Sequence, residues 1–212
     1  MKEIVNIKNV KIGYDKKEIL EVNFKIYNGD FFVISGDNAS GKSLLLKLLY
    51  MKILPKVGNI FFFGENINKE SKDKILEYRK KIGVILDNDT LIPFFTVYQN
   101  IELASEIQNK KKDFEIRIVE ILNWMDLNSI KNKQVNQLSS GQKQKVNIAR
   151  ALINNPRIII ADQPYKNLDE LTKKKLDFLF NSINKLGTTL IVATNNLNIE
   201  NKSVRRIELN KR

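Results

Sequence analysis

The 212-residue chain contains no cysteine and no histidine, only four prolines, and no apolar stretch near the roughly 20 uninterrupted residues a membrane-spanning helix requires. Each absence excludes something. Without cysteine there is no disulfide framework and no thiolate metal site, in keeping with a reducing cytosol. Without histidine the commonest general acid/base and metal ligand is missing, so any catalysis must rest on carboxylates, amides, lysine or bound metal. The best candidate span, Leu44 to Leu54, is broken by Lys47 and Lys52, which predicts a soluble chain. The start, Met1-Lys2-Glu3-Ile4, runs straight into an alternating pattern with no apolar signal region or small-residue cleavage site, so no export is expected.

Positive charge is abundant: 36 Lys and Arg against 24 Asp and Glu give a net charge of +12. Only seven of the basic residues are Arg, and Lys travels with abundant Asn and Ile. Compositional drift therefore competes with a phosphate- or membrane-binding face as the source of the charge. At 42% hydrophobic and 28% charged, the composition is that of one globular domain, with or without a small subdomain.

Strand and helix signals alternate along the chain without a linker or repeat. Val5-Ile7 and Val22-Phe24-Ile26 alternate apolar with polar, Asn28-Gly29 marks a tight turn, and Phe31-Phe32-Val33-Ile34 reads as a buried strand. A Gly-rich loop and an apolar helix from Leu44 to Met51 follow, then a strand at Ile60 to Phe63 and a Lys/Glu-rich helix near Lys72 to Lys80. From about Val97 to Leu127 the period becomes helical, with Phe114, Ile118, Ile121, Leu122 and Met125 on one face. After Arg157 the alternation resumes, with strands at Ile158-Ile159-Ile160 and Leu190-Ile191-Val192 flanking a helix that carries Leu176, Leu179, Phe180 and Ile183. The pattern predicts an α/β fold with a mainly parallel sheet covered on both faces.

Gly36-Asp37-Asn38-Ala39-Ser40-Gly41-Lys42-Ser43 fits G-x-x-x-x-G-K-[ST], directly after a buried strand and at the start of a helix. Such a loop curls its backbone N–H groups into one concavity that fits a triphosphate. Lys42 is expected to reach the β/γ-phosphates and Ser43 to ligate Mg²⁺. Arg157 to Asp162 is an apolar strand ending in an acid, which places Asp162 at the carboxyl edge of the sheet, suited to holding Mg²⁺ through water.

Leu138-Ser139-Ser140-Gly141-Gln142, ahead of a helical stretch, resembles the signature sequence of ABC-type ATPases. The order of phosphate loop, helical segment, signature, acid-ended strand and Asn167-Leu168-Asp169 matches an ABC ATPase domain along nearly the whole chain. The resemblance implies a P-loop NTPase domain over 1–212, with a parallel core sheet, an N-terminal antiparallel β subdomain and a helical signature subdomain at about 88–153. It further implies a homodimer that sandwiches ATP and Mg²⁺, with Ser139, Gly141 and Gln142 of one protomer capping the γ-phosphate held by the other. Asp169 would lie in the loop that communicates between the two sites, and Tyr14 falls where an aromatic stacks on adenine. Gly36, Asn38, Ala39, Ser40, Gly41, Lys42 and Ser43 would cradle the phosphates.

Ile82 to Pro93, Thr96 to Asn100 and Leu186 to Thr194 are similar to the FtsE branch of the family, the cell-division ATPases that act with the membrane partner FtsX. Lipoprotein-release and efflux ATPases share much of that pattern. The branch implies a peripheral protein on the cytoplasmic face of the plasma membrane, with Leu91, Ile92, Phe94 and Phe95 where a partner's coupling helix docks. A nucleic-acid-associated ABC protein rests only on charge, and the chain lacks both a second cassette and aromatic-basic interleaving.

Three positions depart from the family at the reacting end. Gln163 stands where a Glu polarises the attacking water, Asn195 where a His contacts the γ-phosphate, and Asp87 where a Gln reaches the metal. An amide is a poor base and carries no charge, whereas Asp87 could still ligate Mg²⁺. A substitution introduced to trap ATP would account for Gln163 alone. The three together imply a naturally degenerate site that binds ATP and dimerises but hydrolyses slowly, or a non-hydrolysing nucleotide switch or scaffold.

Overall fold

Alternate residues of one sheet feed two separate cores. In the computed structural model, which describes residues 2–14, 17–86, 90–106, 111–195 and 204–209, the odd and even positions of each central strand face opposite layers. Phe32, Ile34, Ile158, Ile160, Ile191 and Ala193 pack toward the N-terminal half, and Phe31, Val33, Ile159, Ala161, Leu190 and Val192 pack toward the helices of the middle segment. A strand buried on both faces needs a continuous apolar run, which is why Phe31 to Ile34 and Ile158 to Ala161 show no alternation.

The N-terminal half opens with long antiparallel strands β1 (Glu3–Tyr14) and β2 (Lys17–Tyr27), followed by β3 (Phe31–Gly36), α1 (Lys42–Leu49), β4 (Val57–Phe62) and the short β5 (Glu65–Asn66). Helix α2 (Lys72–Arg79) and β6 (Ile82–Ile85) lead to the helical segment, α3 (Val97–Glu106), α4 (Lys111–Trp124) and α5 (Ser140–Leu152). The chain then returns through β7 (Ile158–Asp162), α6 (Glu170–Lys185), β8 (Thr189–Ala193) and β9 (Val204–Leu209). Strands β2-β1-β4-β5 form an antiparallel sheet, and β6-β7-β8-β3-β9 form a parallel one.

Helix α1 is the wedge between the two sheets. Leu44, Leu45, Leu46, Leu48 and Leu49 are all buried, each worth roughly 1.5–3 kcal/mol relative to exposure. That burial holds the loop before α1 against the carboxyl edge of the parallel sheet. Because β8 lies between β7 and β3, the C-terminal ends of these three neighbours converge there. Backbone pairing runs on past the strands, with Thr194 N–H donating to Ile34 O at 3.1 Å and Gln163 N–H to Ala193 O at 2.9 Å.

Strand β9 departs from the sequence-based expectation, which places no strand after β8. Only Leu209 of this strand is buried, so apolar periodicity is too weak to reveal it. The pairing is held instead by the ladder from Phe31 to Gly36 and by Arg205, which pairs with Asp30 and lies 5.0 Å from the Tyr27 ring centroid. Among the described residues no helix is long and apolar enough to cross a membrane.

Candidate functional site

The converging strand ends enclose a cavity of about 660 Å³ lined by Lys42, Ser43, Asp162, Gln163, Lys166 and Asn195, with Asn38, Ala39, Gly41 and Leu44 completing its wall. The loop from Gly36 to Gly41 reaches it through residues in the left-handed region: φ is 144° at Gly36, 64° at Ala39 and 97° at Gly41. At Gly36 a Cβ would lie 2.4 Å from Leu209 O and 2.7 Å from Ser40 Oγ, so β9 closes off the outer side of the loop. Helix α1 begins at Lys42 with no side chain among the described residues capping its N-terminus. Its leading N–H groups and partial positive charge therefore suit an anion.

Lys42 is buried, and its ammonium donates to Gly36 O at 2.6 Å and Asp37 O at 2.7 Å. Burial lowers its pKa, opposed by the carboxylates of Asp162 and Asp37. The hydroxyl of Ser43 donates to Asp162 Oδ2 at 2.7 Å across 119 residues of sequence. Hydroxyl and carboxylate oxygens side by side are hard donors of the kind Mg²⁺ takes, and this ion usually completes its shell with water and substrate phosphates. Two protein oxygens leave most of such a shell open, so a cation fits here as the companion of a phosphate chain.

At the opposite side stands a row of amides. Gln163 sits at φ 48° on the sharp turn after β7; its Nε2 donates to Asn195 Oδ1 at 3.2 Å, and Asn195 Nδ2 donates to Asn38 Oδ1 at 2.7 Å. The loop after Gln163 is tied down: Pro164 O accepts from Gln144 Nε2 at 3.1 Å, Leu168 is buried, and Asp169 caps α6. Both carboxylate oxygens of Asp169 are engaged by Thr172, from N–H at 2.8 Å and hydroxyl at 2.7 Å, which holds its pKa below the ordinary aspartate value.

The structure thus brings together Gly36 to Ser43, Asp162, Gln163 and Asn195. Ser40 is buried beneath the loop, where its hydroxyl has no hydrogen-bond partner among the described residues. Ser139, Gly141 and Gln142 do not line this cavity. They start α5 as a capping box, with Gln142 N–H donating to Ser139 Oγ at 3.3 Å and Ser139 N–H to Gln142 Oε1 at 3.0 Å. A Cβ on Gly141 would lie 2.8 Å from Asn167 O, so the signature abuts the loop that carries Asp169. Asp87 lies outside the described residues, as does the side chain of Tyr14. Sequence reasoning missed Lys166, whose only signal is its place three residues beyond Gln163.

Helix α5 links this region to a second cavity of about 690 Å³, lined by Tyr50, Leu76, Gly83, Leu103, Ala104 and Ala151 among others. Besides Gln144, it carries Arg150, which donates to Thr90 O at 2.8 Å and to Asn147 Oδ1 at 3.1 Å. The expected docking residues divide: Leu91 is a core residue at 5% exposure, whereas Phe94 is 75% exposed.

Comparison with known proteins agrees with this geometry. The ABC transporter family matches residues 19–166. The methionine import ATP-binding protein MetN of Francisella tularensis subsp. holarctica is 34% identical over 97% of this chain, which spans 61% of that relative's length. The cell division ATP-binding protein FtsE of Bacillus subtilis is 31% identical over 96% of this chain and 91% of its own. An ATP-binding cassette solved as a dimer in a post-hydrolysis state with ADP and Pi superposes with a TM-score of 0.88, at 33% identity, covering 97% of this chain and 94% of that one.

Proposed function

Because the chain belongs to the ABC transporter family, we propose that it is the ATP-binding subunit of an ABC-type membrane complex, peripheral to the cytoplasmic face of the membrane, that binds ATP and hydrolyses it slowly. The observation that carries this reading is the Ser43–Asp162 contact, set beside Lys42 and the uncapped start of α1. In it, Lys42 and the loop N–H groups hold the phosphates, while Ser43 and Asp162 hold Mg²⁺, which when bound offsets phosphate charge. Gln163 orients the attacking water but takes its proton poorly, and Asn195 donates a hydrogen bond without charge.

The chain acts in this reading as a homodimer, one ATP-binding domain per protomer with a helical subdomain at about 88–153. Ser139 and Gly141, which do not line their own cavity, then meet the γ-phosphate held by the facing copy. The cavity beside Leu76 and Leu103, whose wall includes the Asn100 that donates to Phe95 O, takes a cytoplasmic segment of a transmembrane partner. Helix α5 couples the two, since it touches Pro164, Thr90 and that cavity. The resemblance of residues 82–93, 96–100 and 186–194 to FtsE favours an FtsX-like partner and a role in cell division. A second reading, a switch that cycles by ATP binding and release, is favoured by the amides at 163 and 195.

Calorimetric titration of Mg-ATP tests the core of the proposal. One nucleotide should bind per protomer, and Lys42→Ala should weaken binding. Unchanged affinity in that variant would overturn the phosphate-site assignment.

A further inference from the structure

We propose that Lys166 is a second cation for the terminal phosphate of ATP held by its own chain, in the place left uncharged by Asn195; the inference rests on the nucleotide-binding reading above.

The position of Lys166 is fixed by its surroundings. It lines the same cavity as Lys42, Ser43, Asp162, Gln163 and Asn195. Its backbone N–H donates to Gln163 O at 3.0 Å, so the two side chains leave one tight turn. The residues around that turn are anchored at Pro164 by Gln144, at Tyr165 by an edge-on contact with the Phe180 ring at 6.2 Å, at Leu168 by burial and at Asp169 by the cap on α6. With the backbone held, only the flexible four-carbon stem of Lys166 must move to bring its ammonium to an anion in the cavity.

The charge balance gives that ammonium a task. Mg-ATP carries a net negative charge, and Asp162 adds another. Lys42 opposes them from the floor of the cavity, but two of its three N–H groups are turned onto Gly36 O and Asp37 O. On the far side the amides of Gln163, Asn195 and Asn38 bond to one another and bring no charge. Lys166 is the cation on that side of the cavity wall among the described residues. Because it neighbours Gln163, its reach is to the terminal phosphate, which ADP lacks. A charge-assisted hydrogen bond there should discriminate ATP from ADP about ten- to a hundredfold.

The test is calorimetric titration of Mg-ATP and Mg-ADP into the parent protein, Lys166→Ala, Lys166→Arg and Lys42→Ala, at concentrations where sedimentation shows monomers. Lys166→Ala should weaken ATP about tenfold or more and change ADP by less than about twofold, with Lys166→Arg recovering most of the loss. Lys42→Ala should weaken both nucleotides. Equal loss for ATP and ADP in Lys166→Ala, or none, would overturn the role of Lys166 while leaving the nucleotide site standing. So would a loss seen only in dimers, which would put Lys166 over the facing site. No effect of Lys42→Ala would instead overturn the site itself.

Discussion

The side-chain amide of Gln163 donates to Asn195 at 3.2 Å, and the amide of Asn195 passes the contact on to Asn38 at 2.7 Å. Three neutral groups thereby connect the ends of β7 and β8 to the phosphate loop. The residues at 163 and 195 are mutually consistent. A carboxylate at 163 could not donate to Asn195 Oδ1, so the Asn195 amide would have to turn its Nδ2 toward residue 163, and the Asn38 amide would have to turn with it to keep their contact.

A pH profile follows from that row of amides. The chain has no histidine, and no amide titrates, so the single-turnover rate of ATP hydrolysis should be nearly flat from about pH 6 to 8. A steep limb in that range, measured under saturating Mg²⁺, would point to a titrating base elsewhere in the cavity.

Ala39 holds φ 64° on the exposed surface of the phosphate loop, a region that costs an L-residue about 1–2 kcal/mol. Ala39→Gly removes that strain at little packing cost, although the extra freedom of glycine in the unfolded chain offsets part of the gain. Urea denaturation should show a stabilisation of up to about 1 kcal/mol. A lower midpoint would mean that the methyl group packs more than its exposure implies.

Asp169 ties the loop after Gln163 to α6 through Thr172. Its pKa is lowered in the folded state, so its contribution is present above the ordinary aspartate range and is lost as the pH falls through the folded value. Asp169→Ala should lower Tm by a few degrees at pH 7, and the gap should close on acidification below about pH 4. Asp169→Asn keeps a capping side chain and should retain most of the stability. Reduced ATP-driven dimerisation in that folded variant would isolate a role between sites.

Leu103 is 43% exposed and Leu76 50% exposed on the wall of the cavity beside α5. Changing either to Glu should release the protein from membranes that contain its partner while leaving calorimetric ATP affinity intact. Leu91→Asp should instead unfold the chain, because that side chain is in the core. Wild-type recruitment of Leu103→Glu and Leu76→Glu would remove this cavity from the docking surface.

What the sequence reveals here is what the chain keeps contiguous. The phosphate loop lies between a four-residue apolar run and a leucine-rich helix, and Asp162 ends an apolar strand, so each motif carries its own structural context. Contacts made by folding alone leave no such mark. Asn38 and Asn195 are 157 residues apart, and nothing in either neighbourhood announces the other. Gly83 is ordinary in sequence, yet a Cβ there would lie 2.3 Å from Ala151 O, which brings α5 hard against β6. Lys166 was invisible because lysine is common throughout this chain and only the cavity wall distinguishes this one.

Single-turnover hydrolysis of ATP by the complex assembled with its membrane partner, comparing the parent protein with Gln163→Glu, tests most directly that a competent nucleotide site is slowed by an amide. A positioned carboxylate base should raise the rate by about 10²–10⁴-fold with little change in ATP affinity. Asn195→His should add little alone and more in combination, because both groups act on one transition state. An already fast parent protein, or equal rates for parent and Gln163→Glu, would contradict the account.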